Sequence, residues 1–322
     1  MEIYNNSERK EKGFSGKLNQ KRTSAGKKIM RHWQLYFVIL LPLSYIILFN
    51  YVPMYGAQIA FKNFMASKGI TGSEWVGLKN FIDFFESPQF VRQISNTLGI
   101  SFYTLLAGFP APIILALALN EVRVKRFQKT VQMITYAPYF ISMIVMVSIL
   151  LQVLSPQAGI VNNIIKFFGG SSVNFMAVPQ YFKTIYVLSG IWQYAGYNSI
   201  IYIAALSSID PSLHEAATVD GASIFQKIRY INVPCILPTA IILLILNTGQ
   251  IMNVGFEKIF LMQNSLNMRT SDVISTYVYR VGLLSAQYSF STAVGLFNSV
   301  INATIMVIVN QIAKKLGDSS LW

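Results

Sequence analysis

"LHEAATVDGASIFQKIRYINVPCILP", residues 213–238, is a polar, charged island between two apolar runs. The chain around it is poor in charge: of 322 residues, 53% are hydrophobic and 12% charged. That is about half the charge of an ordinary globular domain. Together with apolar runs long enough to cross roughly 30 Å of hydrocarbon, it puts the chain in a bilayer. The island is then a stretch that stays in water between two stretches that leave it.

Six runs read as spans: Leu35–Val52, Thr97–Leu119 (broken by Pro110 and Pro112), Val131–Leu154, Ile185–Leu206 with a polar middle, Cys235–Phe256 and Phe290–Ala313. Backbone polar groups cannot go unpaired in lipid, so each is expected to be helical. The fold class is all-α, a polytopic membrane protein with six transmembrane helices. Positive charge sets the orientation. Nine of the 26 Lys and Arg fall in the first 31 residues, and Arg123, Lys125, Arg126 and Lys129 crowd one short connection. With the N-terminus inside, the inner segments hold 17 basic residues and the outer loops nine. Both termini are then cytosolic, and the island lies on the cytosolic side between spans four and five. The chain divides into a basic tail 1–34, a first helix 35–53, an outer loop 54–94, a five-helix core 95–313 containing the cytosolic loop 207–234, and a C-terminal tail 314–322. About 34 polar residues precede the first apolar run and no small-residue cleavage site follows it, so no cleavable signal is expected.

A formal net charge of +13 raises nucleic acid as a partner, but no basic stripe with interleaved aromatics accompanies it, and a nucleic-acid role is set aside. All 13 Asp and Glu lie outside the spans, with Glu257 at an edge. Ion-coupled carriers place an ionisable group at membrane depth. The absence of one here, and of an inverted-repeat signal, weighs against the main rival, a self-contained carrier or channel for a polar solute. No GxxxxGK[ST] loop occurs, so the chain is not expected to hydrolyse ATP itself. His32 and His214 stand apart from any Cys or carboxylate cluster, so neither a metal site nor an enzyme's constellation is expected. Cys235 opens an apolar run and is expected to be buried. Lys62, Lys68, Lys79, Arg92, Lys166, Lys258, Arg269 and Arg280 are placed outside, where they read first as solvated loop charge, with attraction of an anionic polysaccharide or contact with a partner protein as the alternatives.

Within the island, Asp210 is placed to cap a helix that has Pro211 at its first position. Glu215 sits early in that helix, where the dipole favours a carboxylate. Gly221 can take the left-handed conformation that ends it. Ser223 and Gln226 form an S-x-x-Q capping box for a second short helix, expected to end near Pro234. A tight corner at Asp220-Gly221 joins the two.

The string Glu215-Ala216-Ala217, Gly221, Ile231, Val233, Pro234 resembles the EAA loop of binding-protein-dependent ABC importer permeases, with Val in place of the usual Leu. Asp220-Gly221-Ala222 is similar to the carbohydrate branch. "NTLGISFYTLLAGFPAPIILALALNE" (96–121), "YAPYFISMIV", "GIWQYAGYNSIIYIAAL" and the opening "PLSYIILFNYVPMYGAQIAFKNF" extend the resemblance over most of the chain, towards polysaccharide-type and alginate-type permeases. The resemblance implies a type I ABC importer permease fold in the bacterial inner membrane. It implies no cofactor in this chain, with ATP and Mg on partner subunits. The implied partners are a second, different permease subunit, a dimer of cytosolic ATP-binding subunits, an extracytoplasmic substrate-binding protein and a saccharide. Glu215, Ala216, Ala217, Asp220, Gly221 and Ala222 would form the element that docks on the ATPase.

A saccharide path needs amides and ring faces. Span five offers Asn247, Gln250 and Asn253, three apart and so on one helical wall. Span four offers Trp192, Gln193, Tyr194, Tyr197 and Asn198; span six offers Asn298 and Asn302. The competing reading for each is hydrogen bonding between helices.

Overall fold

The computed structural model describes residues 33–316; most of both tails, including the nine basic residues that weigh on the orientation, lies outside the described residues. Two compact units divide between Ala57 and Gln58. In the first, a helix starts at Trp33; as α1 it reaches Phe61. In the second, a two-stranded antiparallel hairpin pairs β1 (Lys62–Asn63) with β2 (Glu74–Trp75). There follow α2 (Lys79–Glu86), α3 (Phe90–Asn120), α4 (Lys125–Phe140), α5 (Met143–Val153), α6 (Ile160–Phe167) and α7 (Pro179–Ser207). The short α8 (Pro211–Val219) turns into α9 (Ile224–Thr248), and α10 (Phe256–Met262), α11 (Met268–Ser271) and α12 (Ile274–Val278) precede α13 (Tyr288–Leu316).

Helices α1, α3, α9 and α13 are long and apolar enough to cross a membrane, and the bent pair α4–α5 makes a fifth crossing if taken as one. Helix α7, with 29 residues, has the length for a sixth but carries the polar middle seen in the sequence. Six spans are compatible with this architecture.

Proline does not break these helices where the sequence suggested. The second span was expected to break at Pro110 and Pro112, and the second arm of the island to stop near Pro234. Instead α3 runs through Pro110, and α9 runs through Pro234 and on through Pro238 into the span. A π turn lies just upstream each time: Thr104–Gly108 before Pro110 and Ile228–Asn232 before Pro234, as Ile47–Tyr51 does before Pro53 in α1. Proline lacks an N–H and its ring presses on the carbonyl four residues back. A wider turn there accommodates both defects.

The third span does break. Helices α4 and α5 meet at 105° across Ile141-Ser142. The Ser142 hydroxyl caps α5 by accepting from the Val145 amide, and Gln193 Nε2 of α7 donates to the Ile141 carbonyl at 3.2 Å. Irregular backbone at membrane depth persists only when such partners exist. Next to the kink, Gly196 lets the α7 backbone meet the Thr135 carbonyl, where any Cβ would collide. Tyr197 stacks on Tyr139 with ring centroids 3.7 Å apart.

Three small apolar cores hold the second unit together. One joins α3, α5, α7 and α10 through Ile100, Met146, Phe182 and Ile259. A second is aromatic, with Phe84 of α2 packed edge-on against Phe90, Phe290 and Phe297. The third joins α3, α7 and α9 through Ala116, Tyr202 and Ile236. Cys235, expected buried, is exposed. The inward positions of α9 are Asn232, Ile236 and Ala240, four apart, and residue 235 turns the other way.

Candidate functional site

Two places combine unusual geometry with chemistry: the corner between α8 and α9, and a cavity among α3, α7, α9 and the segment that follows α9.

The corner is held by bonds within its own residues. Asp210 Oδ1 accepts from the Ser212 amide at 2.9 Å, and the Ser212 amide and hydroxyl hold the Asp210 carboxyl below its ordinary pKa. At the far end Gly221 has φ +74°. The Ala222 amide donates to Ala217 O at 2.8 Å and the Gly221 amide to Thr218 O at 3.1 Å, the paired bonds of a Schellman C-cap. Ser223 and Gln226 complete a reciprocal capping box. No residue of α8 is buried. Glu215, Ala216 and Asp220 are exposed, and Ala217 and Ala222 half-buried. Two apolar side chains beside the corner are almost bare, Val219 at 88% and Phe225 at 83% exposed. At the root of α9, Asn232 is fully buried and its Nδ2 donates to Glu121 Oε1 at 3.2 Å, tying the corner to the end of α3.

The cavity encloses about 630 Å³. Asn247, Gln250, Asn253, Tyr194 and Asn198 stand on its wall, with Ser101 and Thr104 of α3 opposite. The three span-five amides do not share a helix, since α9 ends at Thr248, residues 249–252 form turns and 253–255 have no regular structure. That segment is pinned to α13. Asn253 Oδ1 accepts from Asn298 Nδ2 at 2.9 Å and from Asn302 Nδ2 at 3.2 Å, and Asn302 Oδ1 accepts from the Met252 amide at 2.9 Å. Asn298 and Asn302 therefore bond the turn rather than stand on the cavity wall. Trp192 faces an apolar groove with Met146, Ile149 and Leu150 of α5. Gln193 and Tyr197 serve the α4–α5 kink.

The sequence reading missed two cavity residues. Glu257 and Lys258 of α10 both line it. Lys258, taken as solvated loop charge, is 3% exposed, and burial pushes its pKa down to about 7. The run "GFEKIFLM", with apolar residues on both sides of the charge, was the available sign. Other outer cations are also more than solvated charge. Lys62 is buried and donates to Ile70 O at 2.7 Å. Arg280 and Arg92 converge on the fully buried Asp272 carboxylate at 2.9 and 3.3 Å.

Comparison with known proteins matches this architecture. The family model described as binding-protein-dependent transport system inner membrane component matches residues 108–318, and the chain belongs to that family. Its fold is that of a type I ABC importer permease. Among relatives, a polygalacturonan/rhamnogalacturonan transport system permease protein, YteP of Bacillus subtilis (strain 168), is 41% identical over 94% of each chain. Protein LplB of the same organism is 41% identical over 89% of this chain and 91% of that one. The crystal structure of a bacterial ABC transporter involved in import of the acidic polysaccharide alginate contains a chain 43% identical, with TM-score 0.84, covering 90% of this chain and 98% of that chain. The bacterial alginate transporter in complex with an alginate pentasaccharide-bound periplasmic protein gives TM-score 0.85 at 42% identity, over 92% of this chain and 99% of that one.

Proposed function

We propose that this chain forms half of the membrane path of an ATP-driven importer for an oligo- or polysaccharide, and that the α8–α9 corner receives the motion produced by ATP hydrolysis on another subunit. The corner carries this reading. A nine-residue helix is marginal alone in water, yet α8 is capped at both ends and buries nothing. Val219 and Phe225 require cover, and a groove on a cytosolic ATPase supplies it. Glu215 pairs there with a basic or hydroxyl group, Ala216 and Ala217 let the helix sit deep, and Asp220, Gly221 and Ala222 aim it.

In this reading ATP and Mg bind the ATPase dimer and not this chain. The corner and both termini face the cytosol, a second and different permease subunit completes the path, and a substrate-binding protein delivers the saccharide at the outer face. ATP drives the switch between inward- and outward-open states through differential affinity for the docked corner. Asn247, Gln250, Tyr194 and Asn198 offer hydroxyl partners and a ring face along the path, while Asn253, Asn298 and Asn302 hold its wall. The saccharide class is supported by the relatives named above, which serve polygalacturonan, rhamnogalacturonan and alginate systems.

The test is uptake by the reconstituted complex. Glu215→Lys and Gly221→Asp are expected to abolish ATP-driven uptake with the permease pair still assembled. Coupling unchanged in both variants would overturn the assignment of the corner.

A further inference from the structure

Lys258 holds a buried amine in the cavity wall, with no carboxylate in contact with it among the described residues. Among the described residues both ion pairs involve Asp272, and neither includes Lys258. One of its N–H bonds goes to the Tyr186 carbonyl of α7 at 2.8 Å. Its Nζ also lies 4.5 Å from the centre of the Tyr186 ring. No other protein acceptor lies within hydrogen-bonding distance among the described residues, although an ammonium has three protons to give. Glu257 stands on the same wall but is exposed and forms no ion pair with it. Opposite, α7 makes room: a Cβ at Gly190 would lie 3.3 Å from the Lys258 nitrogen.

An ammonium taken out of water without a counter-charge is expensive. Fastening α10 to α7 does not require one, because an apolar side chain of similar length fills the space at lower cost. A hydrogen-bonding anion arriving through the cavity offsets the cost. We infer that Lys258 is the charge-reading residue of the translocation cavity, with its ammonium receiving a carboxylate of a uronic-acid unit as the saccharide passes. The inference rests on the saccharide-importer reading and adds to it the residue that senses the substrate's charge.

The test uses the whole complex in proteoliposomes. ATP hydrolysis stimulated by the binding protein is measured with tetragalacturonate and with its fully methyl-esterified, neutral counterpart. The same binding protein serves every permease variant, so its own preference cancels in the comparison. Lys258→Gln is expected to raise the tetragalacturonate concentration for half-maximal stimulation by about tenfold or more, the size of one charge-assisted hydrogen bond, and to leave the ester's unchanged. Lys258→Arg is expected to keep the preference for the acid. Gly190→Ala crowds the ammonium without removing it, and decides the matter if Lys258→Gln does not assemble: the response to the acid should weaken alone. Equal loss of acid and ester responses, or an unchanged acid response in Lys258→Gln, would overturn the inference. If wild type responds to neither saccharide, the uronic-acid inference falls while the importer reading, which names no particular saccharide, stands. A wild type that responds normally beside an indifferent Lys258→Gln sinks the lysine alone.

Discussion

Lys227 Nζ donates to the hydroxyl of Thr218 at 2.7 Å, across the corner at Gly221. Thr218 in turn donates to His214 O at 2.6 Å, so the first turn of α9 is strutted against the last turn of α8. With the left-handed glycine and the two caps, the strut makes the corner a rigid elbow in front of a helix that continues unbroken into the membrane. The coupling proposed above requires that a displacement of α8 be carried through this corner to the helix on which Asn247 stands.

Backbone conformation should limit that elbow more than space does. A Cβ at Gly221 meets nothing within 4 Å, but a side chain in the left-handed region costs about 1–2 kcal/mol, least for Asn. Binding-protein-stimulated ATPase activity is expected to fall in the order Gly221, Asn, Ala, Val. Equal activity in the Asn and Val variants would show that the conformation is not required.

Asp210→Ala removes the N-cap of α8 and should speed hydrogen exchange of the amides at 212 and 213 at neutral pH. The sign of the pH effect follows from the depressed pKa. The carboxylate's contribution is complete above the ordinary carboxylate range, near pH 4, and is lost only as pH falls through the lower folded value. Wild-type protection of α8, corrected for intrinsic exchange, should therefore be flat from about pH 5 to 8. A midpoint inside that interval would contradict the cap.

Gly196→Ala drives a methyl into the Thr135 carbonyl at the α4–α5 kink. Overpacking of this kind costs about 1–3 kcal/mol, read as a lower melting temperature of the detergent-solubilised complex. Gly295→Ala, where a Cβ meets nothing within 4 Å, should melt like wild type.

Asp272→Asn leaves two guanidinium groups without their shared carboxylate. Breaking a buried pair costs 3–5 kcal/mol, but the arginine side chains are 43% and 33% exposed, so solvent screening reduces the loss to about 2 kcal/mol. A lower melting temperature and faster proteolysis within 264–280 are the expected readouts.

Residues 210–226 were legible in the sequence almost bond by bond. The Asp210 cap, Pro211 at the first position, the positive φ of Gly221 and the Ser223/Gln226 box were all expected, and all occur. Each joins groups no more than about five residues apart, which chain connectivity already brings together. Pro234 misled because its helix-breaking tendency is also local, and the widening that cancels it lies in the turn before. Gln193 and Asn302 read as polar residues in spans. What each bonds, the Ile141 carbonyl and the Met252 amide, lies 52 and 50 residues away, and no spacing rule reaches that far.

The amino-acid sequence alone determined that the chain lives in a membrane, that it is helical, and that a capped glycine elbow projects between α7 and the helix after it. Hydropathy and caps are properties of neighbouring residues, and burial elsewhere does not revoke them. Only the tertiary structure decided that the third span bends by 105°, that Asn298 and Asn302 serve Asn253 rather than the cavity wall, and that Lys258 belongs to the cavity. Each of those depends on which helix faces become neighbours. That is settled by packing across the whole bundle, where a charge written into a loop ends under a tyrosine carbonyl because a glycine on another helix left it room.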